Sequence, residues 1–172
     1  MAKEVLNNIR ESTSLYNNIT DPITHPHANA DIKRLLVKID HTNMYSCTPF
    51  LLSILRAVKD AELSEQDVVK VLEETLVLLI RRKVAKLAVT KYDTFFPSLW
   101  SKIKDEPDKV RAIQDQIKKE ELWVSDQEFQ DSFKNKPLYA KTELSFVRLV
   151  LQEIDKQMQT HGQYPDYSTI NT

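Results

Sequence analysis

Four cations, Arg81, Arg82, Lys83 and Lys86, close the most apolar stretch of this 172-residue chain. Lys83 and Lys86 are three apart and Arg82 is four before Lys86, so on a helix the group lies along one side. Phosphate contact requires little beyond reachable cations, which makes a nucleic-acid surface one expectation for these residues. The competing expectation is structural, because cations in the last turn of a helix complement its negative end and pair with carboxylates. Trp100, Trp123, Phe129 and Phe133 could stack on bases, yet aromatics at these spacings more often fill cores and lobe interfaces.

The remaining reactive side chains form no catalytic pattern. His25 and His27 flank Pro26, with His41 further on, but no third ligand completes a zinc set. Glu73 and Glu74 are neighbours, about 100° apart on a helix, so they cannot project together as a carboxylate metal site does. No serine has the Gly-flanked elbow that exposes a nucleophilic hydroxyl. Cys47 is the single cysteine, which excludes an intrachain disulfide and a thiolate cage and suits a small buried hydrophobe. The expectation is a chain with no catalytic residue, no metal and no cofactor.

Glycine sharpens that exclusion. Gly162 is the only one, where ordinary usage gives roughly a dozen. Phosphate-cradling loops, dinucleotide-binding turns and two-residue hairpins need a backbone that glycine adopts cheaply, so they are excluded before position 162. With 41% apolar and 28% charged residues the chain has the balance of a globular protein. Its 24 basic and 25 acidic side chains exert no global pull toward nucleic acid. The opening residues lack the apolar run of a secretory signal, and the stretch 68–89 carries too many charges to span a bilayer, so a cytoplasmic protein without membrane contact is expected.

These residues must be positioned by helices. Periodicity predicts a first helix over about 3–16, stopped by Asn17, Asn18 and Asp21-Pro22, and a second over 28–40 with Ile32, Leu35, Leu36 and Ile39 on one stripe. Pro49 suits the start of a third, which ends near Ala61. Ser64, with Asp67 three residues on, is the clearest N-cap, opening a long central helix to about Ala88 that is apolar around most of its circumference. Asp93 or Thr94 caps a short helix with Pro97 in its first turn, and further helices follow over 108–121, from Ser125, and over 141–160. Gly162, just past His161, reads as the left-handed residue that terminates the last of them. The whole is an all-α, irregular multi-helix bundle of about seven or eight helices around a long central one. Unequal helices and unlike loops argue against a regular solenoid.

Three features together resemble the helical middle region of GmrSD-type modification-dependent restriction proteins: WVSDQEF at Trp123 to Phe129, the tyrosine Tyr139, and the helix ELSFVRLVLQEIDKQM. The apolar helix ending in Arg81-Arg82 is similar to that family's helix with an Arg-Arg pair, and the stretch from Tyr16 through PFLLSIL to its link from the preceding domain. The resemblance implies a position between a ParB-like, nucleotide-hydrolysing domain and an HNH-type nuclease domain. It maps Trp123, Asp126 and Phe129 onto a Trp-x-x-Asp-x-x-Phe pattern, where Asp126 enters the first turn of the helix capped by Ser125 and the two rings lock that helix to its neighbours. The nuclease histidine and the ParB-like Asp-Gly-Gln-Gln-Arg signature are both missing, so the resemblance implies a fragment that lacks both activities.

The resulting expectation divides the chain into N-terminal helices over 1–63 that link to an upstream domain, a main bundle over 64–162, and an extended tail over 163–172 leading to the nuclease. Its function would be a non-catalytic linker or scaffold whose partners are adjacent domains of the parent protein, with DNA reached through that parent. A self-contained interaction module, such as an adaptor or antitoxin, and a nucleic-acid-binding helical domain are the alternatives.

Overall fold

Capping side chains and apolar stripes divide the chain into eight α-helices among the residues described by the computed structural model, which are 2–88, 90–136 and 143–158. Of residues 2–9 and 157–158 only the backbone is described. The helices are α1 (Ala2–Thr20), α2 (Ala30–Asp40), α3 (Thr48–Lys59), α4 (Glu65–Val84), α5 (Thr90–Ile103), α6 (Lys109–Lys119), α7 (Asp126–Asn135) and α8 (Leu144–Met158). A 3-10 turn at Tyr45–Cys47 leads into α3, and no strand occurs among the described residues.

Short polar side chains set the helix starts. Ser64 accepts from the Asp67 N–H at 3.1 Å while its hydroxyl donates to the Asp67 carboxylate at 2.7 Å. That bond from Ser64, helped by the nearby Lys70 ammonium, holds the Asp67 carboxyl below its ordinary value. Asp108 and Ser125 cap α6 and α7 in the same way, accepting from the N–H groups of Arg111 and Glu128. Asn29 accepts from Asp31 and Ile32 and donates to Glu65 at 2.7 Å, so one amide ties the starts of α2 and α4.

Helices α1, α3 and α5 form one layer and α2, α4 and α6 the other. α3 packs against α1 and α5, while α4 packs against α2, α6 and α7, and α1 meets α2, α3 meets α4, and α5 meets α6 across the layers. This is the order of stacked helix hairpins, built from helices of unlike length and without a sequence repeat. The buried core runs through both layers: Ile32, Leu36, Phe50, Ile54, Val68, Leu72, Leu79, Tyr92 and Phe96 are all inside it. Helix α4 is the central element because it meets a neighbour on nearly every side.

Several boundaries differ from the sequence expectation, beginning with two-residue shifts at the start of α2 (Ala30) and the end of α3 (Lys59). Helix α1 runs through Asn17 and Asn18 to Thr20, since two polar residues of modest propensity do not outweigh the helical bonds on either side. Helix α4 stops at Val84 rather than Ala88. Helix α5 begins at Thr90, so Pro97 lies in its interior instead of its first turn. The burial of Tyr92, Phe95, Phe96 and Leu99 on both sides of Pro97 offsets the backbone bond lost there, and Phe96 packs its ring against Phe50, Tyr92 and Phe95. Helix α6 ends at Lys119, two residues before the expected boundary, and Glu121 begins the exit turn.

The helix ends explain how a nearly glycine-free chain turns. Asn43, Ala61, Lys86 and Glu121 adopt φ of 52°, 58°, 51° and 53°. The last three are left-handed residues closing α3, α4 and α6, and each exit carries both bonds of a Schellman motif. Ala61 and Glu62 donate to Val58 and Ala57, Lys86 and Leu87 to Lys83 and Arg82, and Glu121 and Leu122 to Lys118 and Ile117. The use expected for Gly162 lies outside the described residues. Side chains with a Cβ cost about 1–2 kcal/mol in this conformation, partly offset by the extra unfolded-state freedom of glycine. Ala61→Gly, Lys86→Gly and Glu121→Gly are each expected to raise stability by about 0.5–1 kcal/mol, measured as a higher urea midpoint at unchanged m-value.

Candidate functional site

The end of α4 gathers the candidate cations at a junction of loops. Arg81 is half-buried; its Nε donates to the Val124 carbonyl at 2.9 Å and its guanidinium pairs with Asp126. The same guanidinium lies 4.6 Å from the centre of the Trp123 ring and 5.2 Å from that of Phe129. Trp123, Asp126 and Phe129 therefore surround one cation, two with aromatic faces and one with a carboxylate. Asp126 is in the first turn of α7 behind the Ser125 cap, as the capping pattern predicts. Tyr139 lies outside the described residues.

Arg82 points the other way, into the core, and is only 5% exposed. It donates to the Leu122 carbonyl at 3.1 Å and the Ala88 carbonyl at 3.3 Å, with its guanidinium 4.9 Å from the centre of the Tyr92 ring. Burial pushes the Tyr92 hydroxyl well above its ordinary value, with the Arg82 charge opposing the shift, so this phenol stays protonated. Lys83 donates to the Thr42 carbonyl at 2.6 Å, pairs with Glu143 at 3.2 Å, and lies 4.6 Å from the Phe146 ring centre. Only Lys86 of the four is exposed, at the left-handed exit of the helix. A cleft of ≈ 480 Å³ opens beside Lys83 and Lys86, bounded by Asn43, Met44, Glu143 and Phe146.

Three cations thus direct donors to backbone carbonyls, carboxylates and ring faces of the same chain, with Arg82 Nε buried and without a hydrogen-bond partner among the described residues. The spacing that placed them on one side of a helix said nothing of this, because their acceptors lie 40 or more positions away, the Ala88 carbonyl excepted. Sequence reasoning also missed Lys136, whose ammonium donates to the Ala85 carbonyl. The one local signal was a basic last turn, which is common to many helices.

The other candidate groups remain apart. His25 is exposed, and His27 Nδ1 accepts from the Asn29 N–H at 3.0 Å. Glu73 faces solvent, while Glu74 accepts from Gln114 at 2.9 Å and joins α4 to α6. Among the described residues no three His, Cys, Asp or Glu side chains assemble as a metal site, and no described helix is long and apolar enough to cross a membrane. Trp100 is half-buried, Phe129 and Phe133 stack at 6.3 Å, and Trp123 is 46% exposed beside Arg81. Cys47 is buried with its thiol donating to the Met44 carbonyl, and burial pushes it up to about 12.

The fold and this junction define an all-α bundle of stacked helices whose basic cluster is built into its own framework. Comparison with protein families, with curated proteins and with solved structures gives no match to the chain.

Two measurements check this geometry. Arg82→Ala leaves two carbonyls without their charged donor and removes the cover of Tyr92, so a loss of about 3 kcal/mol is expected in urea unfolding; Arg81→Ala, whose partner Asp126 is largely exposed, costs about 1 kcal/mol. Cys47 has a folded pKa above its unfolded one, so its contribution is complete below about pH 8.5 and is lost as pH rises toward 12. Cys47→Ala is expected to flatten the alkaline limb of the stability profile relative to wild type, measured by urea unfolding between about pH 7 and 10.5.

Proposed function

We propose that this chain is a non-catalytic helical scaffold that couples a nucleotide-hydrolysing domain to a nuclease domain in a DNA restriction protein, the role that its resemblance to the GmrSD middle region implies. The observation that carries this reading is the inward commitment of Arg81, Arg82 and Lys83. With those donors spent inside the chain, direct phosphate binding has little left to use, since an ammonium or guanidinium already paired must give up its partner to meet a phosphate. Apolar side chains are what the bundle exposes instead, at Tyr16 and Ile23 around the end of α1 and at Leu144 and Leu151 on α8. Stacked helix hairpins present extended surfaces of this kind to protein partners.

A second reading has its own support. A groove of ≈ 420 Å³ between α1 and α3 has Leu15, Leu55 and Val58 along it with Arg10, Glu11 and Lys59 at its edges, which favours an adaptor that receives a partly apolar segment.

The purified chain is expected neither to cleave DNA with Mg²⁺ or Mn²⁺ nor to hydrolyse nucleoside triphosphates. It is expected to bind the ParB-like or HNH-type domain of its restriction protein supplied in trans, measured by isothermal titration calorimetry, with the pair Tyr16→Asp and Ile23→Asp weakening that binding at least about tenfold. Metal-dependent cleavage by the chain alone, abolished by a substitution within it, would overturn the proposal. So would failure to bind either domain.

A further inference from the structure

Two of the four left-handed residues, Asn43 and Lys86, line the same cleft of ≈ 480 Å³ at the exit of α4. Asparagine tolerates that conformation, whereas a lysine bears the full steric cost of its Cβ, and backbone held in this way gathers at ligand sites. The cleft has the volume of a site for a small organic molecule. Its apolar lining comes from Met44 and Phe146, both buried, and the half-buried Leu87.

The polar lining favours one sign of charge. Two ammonium groups, of Lys83 and Lys86, stand against one carboxylate, Glu143, and that carboxylate is already paired with Lys83 at 3.2 Å. Asn43 Oδ1 accepts from the Tyr45 hydroxyl at 3.4 Å, which leaves the amide N–H groups of Asn43 as donors. The negative end of α4 would repel an anion if its carbonyls were bare. Instead the N–H groups of Lys86 and Leu87 bond to the Lys83 and Arg82 carbonyls, and the Lys136 ammonium donates to that of Ala85.

We infer that this cleft binds a small organic anion, a carboxylate on an apolar ring system, with Lys86 recognising the carboxylate and Met44, Leu87 and Phe146 receiving the ring. An inorganic anion would leave the apolar lining without a partner, and a neutral apolar molecule would take water from Lys86 without replacing it. Lys83 keeps its bonds to Thr42 and Glu143 throughout, so the framework around α4 need not change. This role goes beyond coupling of domains and does not depend on it.

Amide nitrogen–proton NMR spectra of the full chain, titrated with 2-naphthoate and with its neutral counterpart 2-naphthamide, test the site. The carboxylate is expected to bind with a Kd of about 1 mM or tighter, with the largest shifts at Asn43, Met44, Lys86 and Leu87. The amide should bind at least about tenfold more weakly. Lys86→Gly should weaken carboxylate binding at least about tenfold and erase the preference over the amide, even as it raises the urea midpoint. Ala61→Gly, stabilised in the same way at the exit of α3, should keep the wild-type affinity within about twofold. Lys86→Gln, which keeps the length of the side chain, should lose the preference as Lys86→Gly does. No saturable shift up to about 10 mM carboxylate, equal binding of the amide, wild-type affinity in either Lys86 variant, or the largest shifts in the groove between α1 and α3 overturns the inference. Binding of the nuclease or nucleotide-hydrolysing domain is a separate measurement, so either proposal can fail alone.

Discussion

Charged donors at the last turn of α4 reach carbonyl groups that the helices themselves leave unbonded. Leu122 and Val124 belong to the link between α6 and α7, Thr42 to the exit of α2, and Ala88 to the exit of α4; none has an ordinary helical partner at hand. Arg81, Arg82 and Lys83 supply charge-assisted donors for all four, stronger than neutral ones and long enough to span the gaps. The cations in turn sit at the negative end of a helix and beside ring faces, which lowers the cost of removing them from water. Loops from three parts of the chain are thereby held to one turn, and the positions of α7 and of the start of α8 follow from it.

The same turn shows how the chain manages with so little glycine. Lys86 takes the left-handed position that ends α4, and Ala61 and Glu121 do so for α3 and α6. Each closes a full Schellman pair, so the satisfied carbonyls compensate for much of the steric cost at the Cβ. After α6 the residue following Glu121, Leu122, is buried, and its carbonyl accepts from Arg82. The strained exit and the cationic clamp thus act on the same few residues, and a change at either is felt at the other.

A bundle organised in this way has its polar chemistry turned inward. Cys47 and Tyr92 are buried with their protons held on, Arg82 is enclosed, and Glu74 joins two helices. Outward-facing apolar residues on the first and last helices are then the features with most to offer a partner. The coupling role proposed for the chain draws on these exposed residues.

Much of the fold was legible in the linear pattern, for a local reason. Apolar spacing, Ser64, Asp108 and Ser125 are short-range signals, and a helix is a short-range structure, so the all-α class, the central position of α4 and the starts of α4, α6 and α7 could be read directly. Pro97 misled because its cost is local while the aromatic packing that offsets it is not. The helix exits were illegible for the opposite reason, since left-handed Ala, Lys and Glu leave no compositional trace. Of the candidate site, the residues themselves were visible, and Asp126 lay where its cap predicts. What only the tertiary structure decided was their direction. Whether a guanidinium meets a phosphate or a carbonyl depends on which loop passes within reach, and the carbonyls that Arg81, Arg82 and Lys83 find across the fold are brought there by packing of the two helix layers.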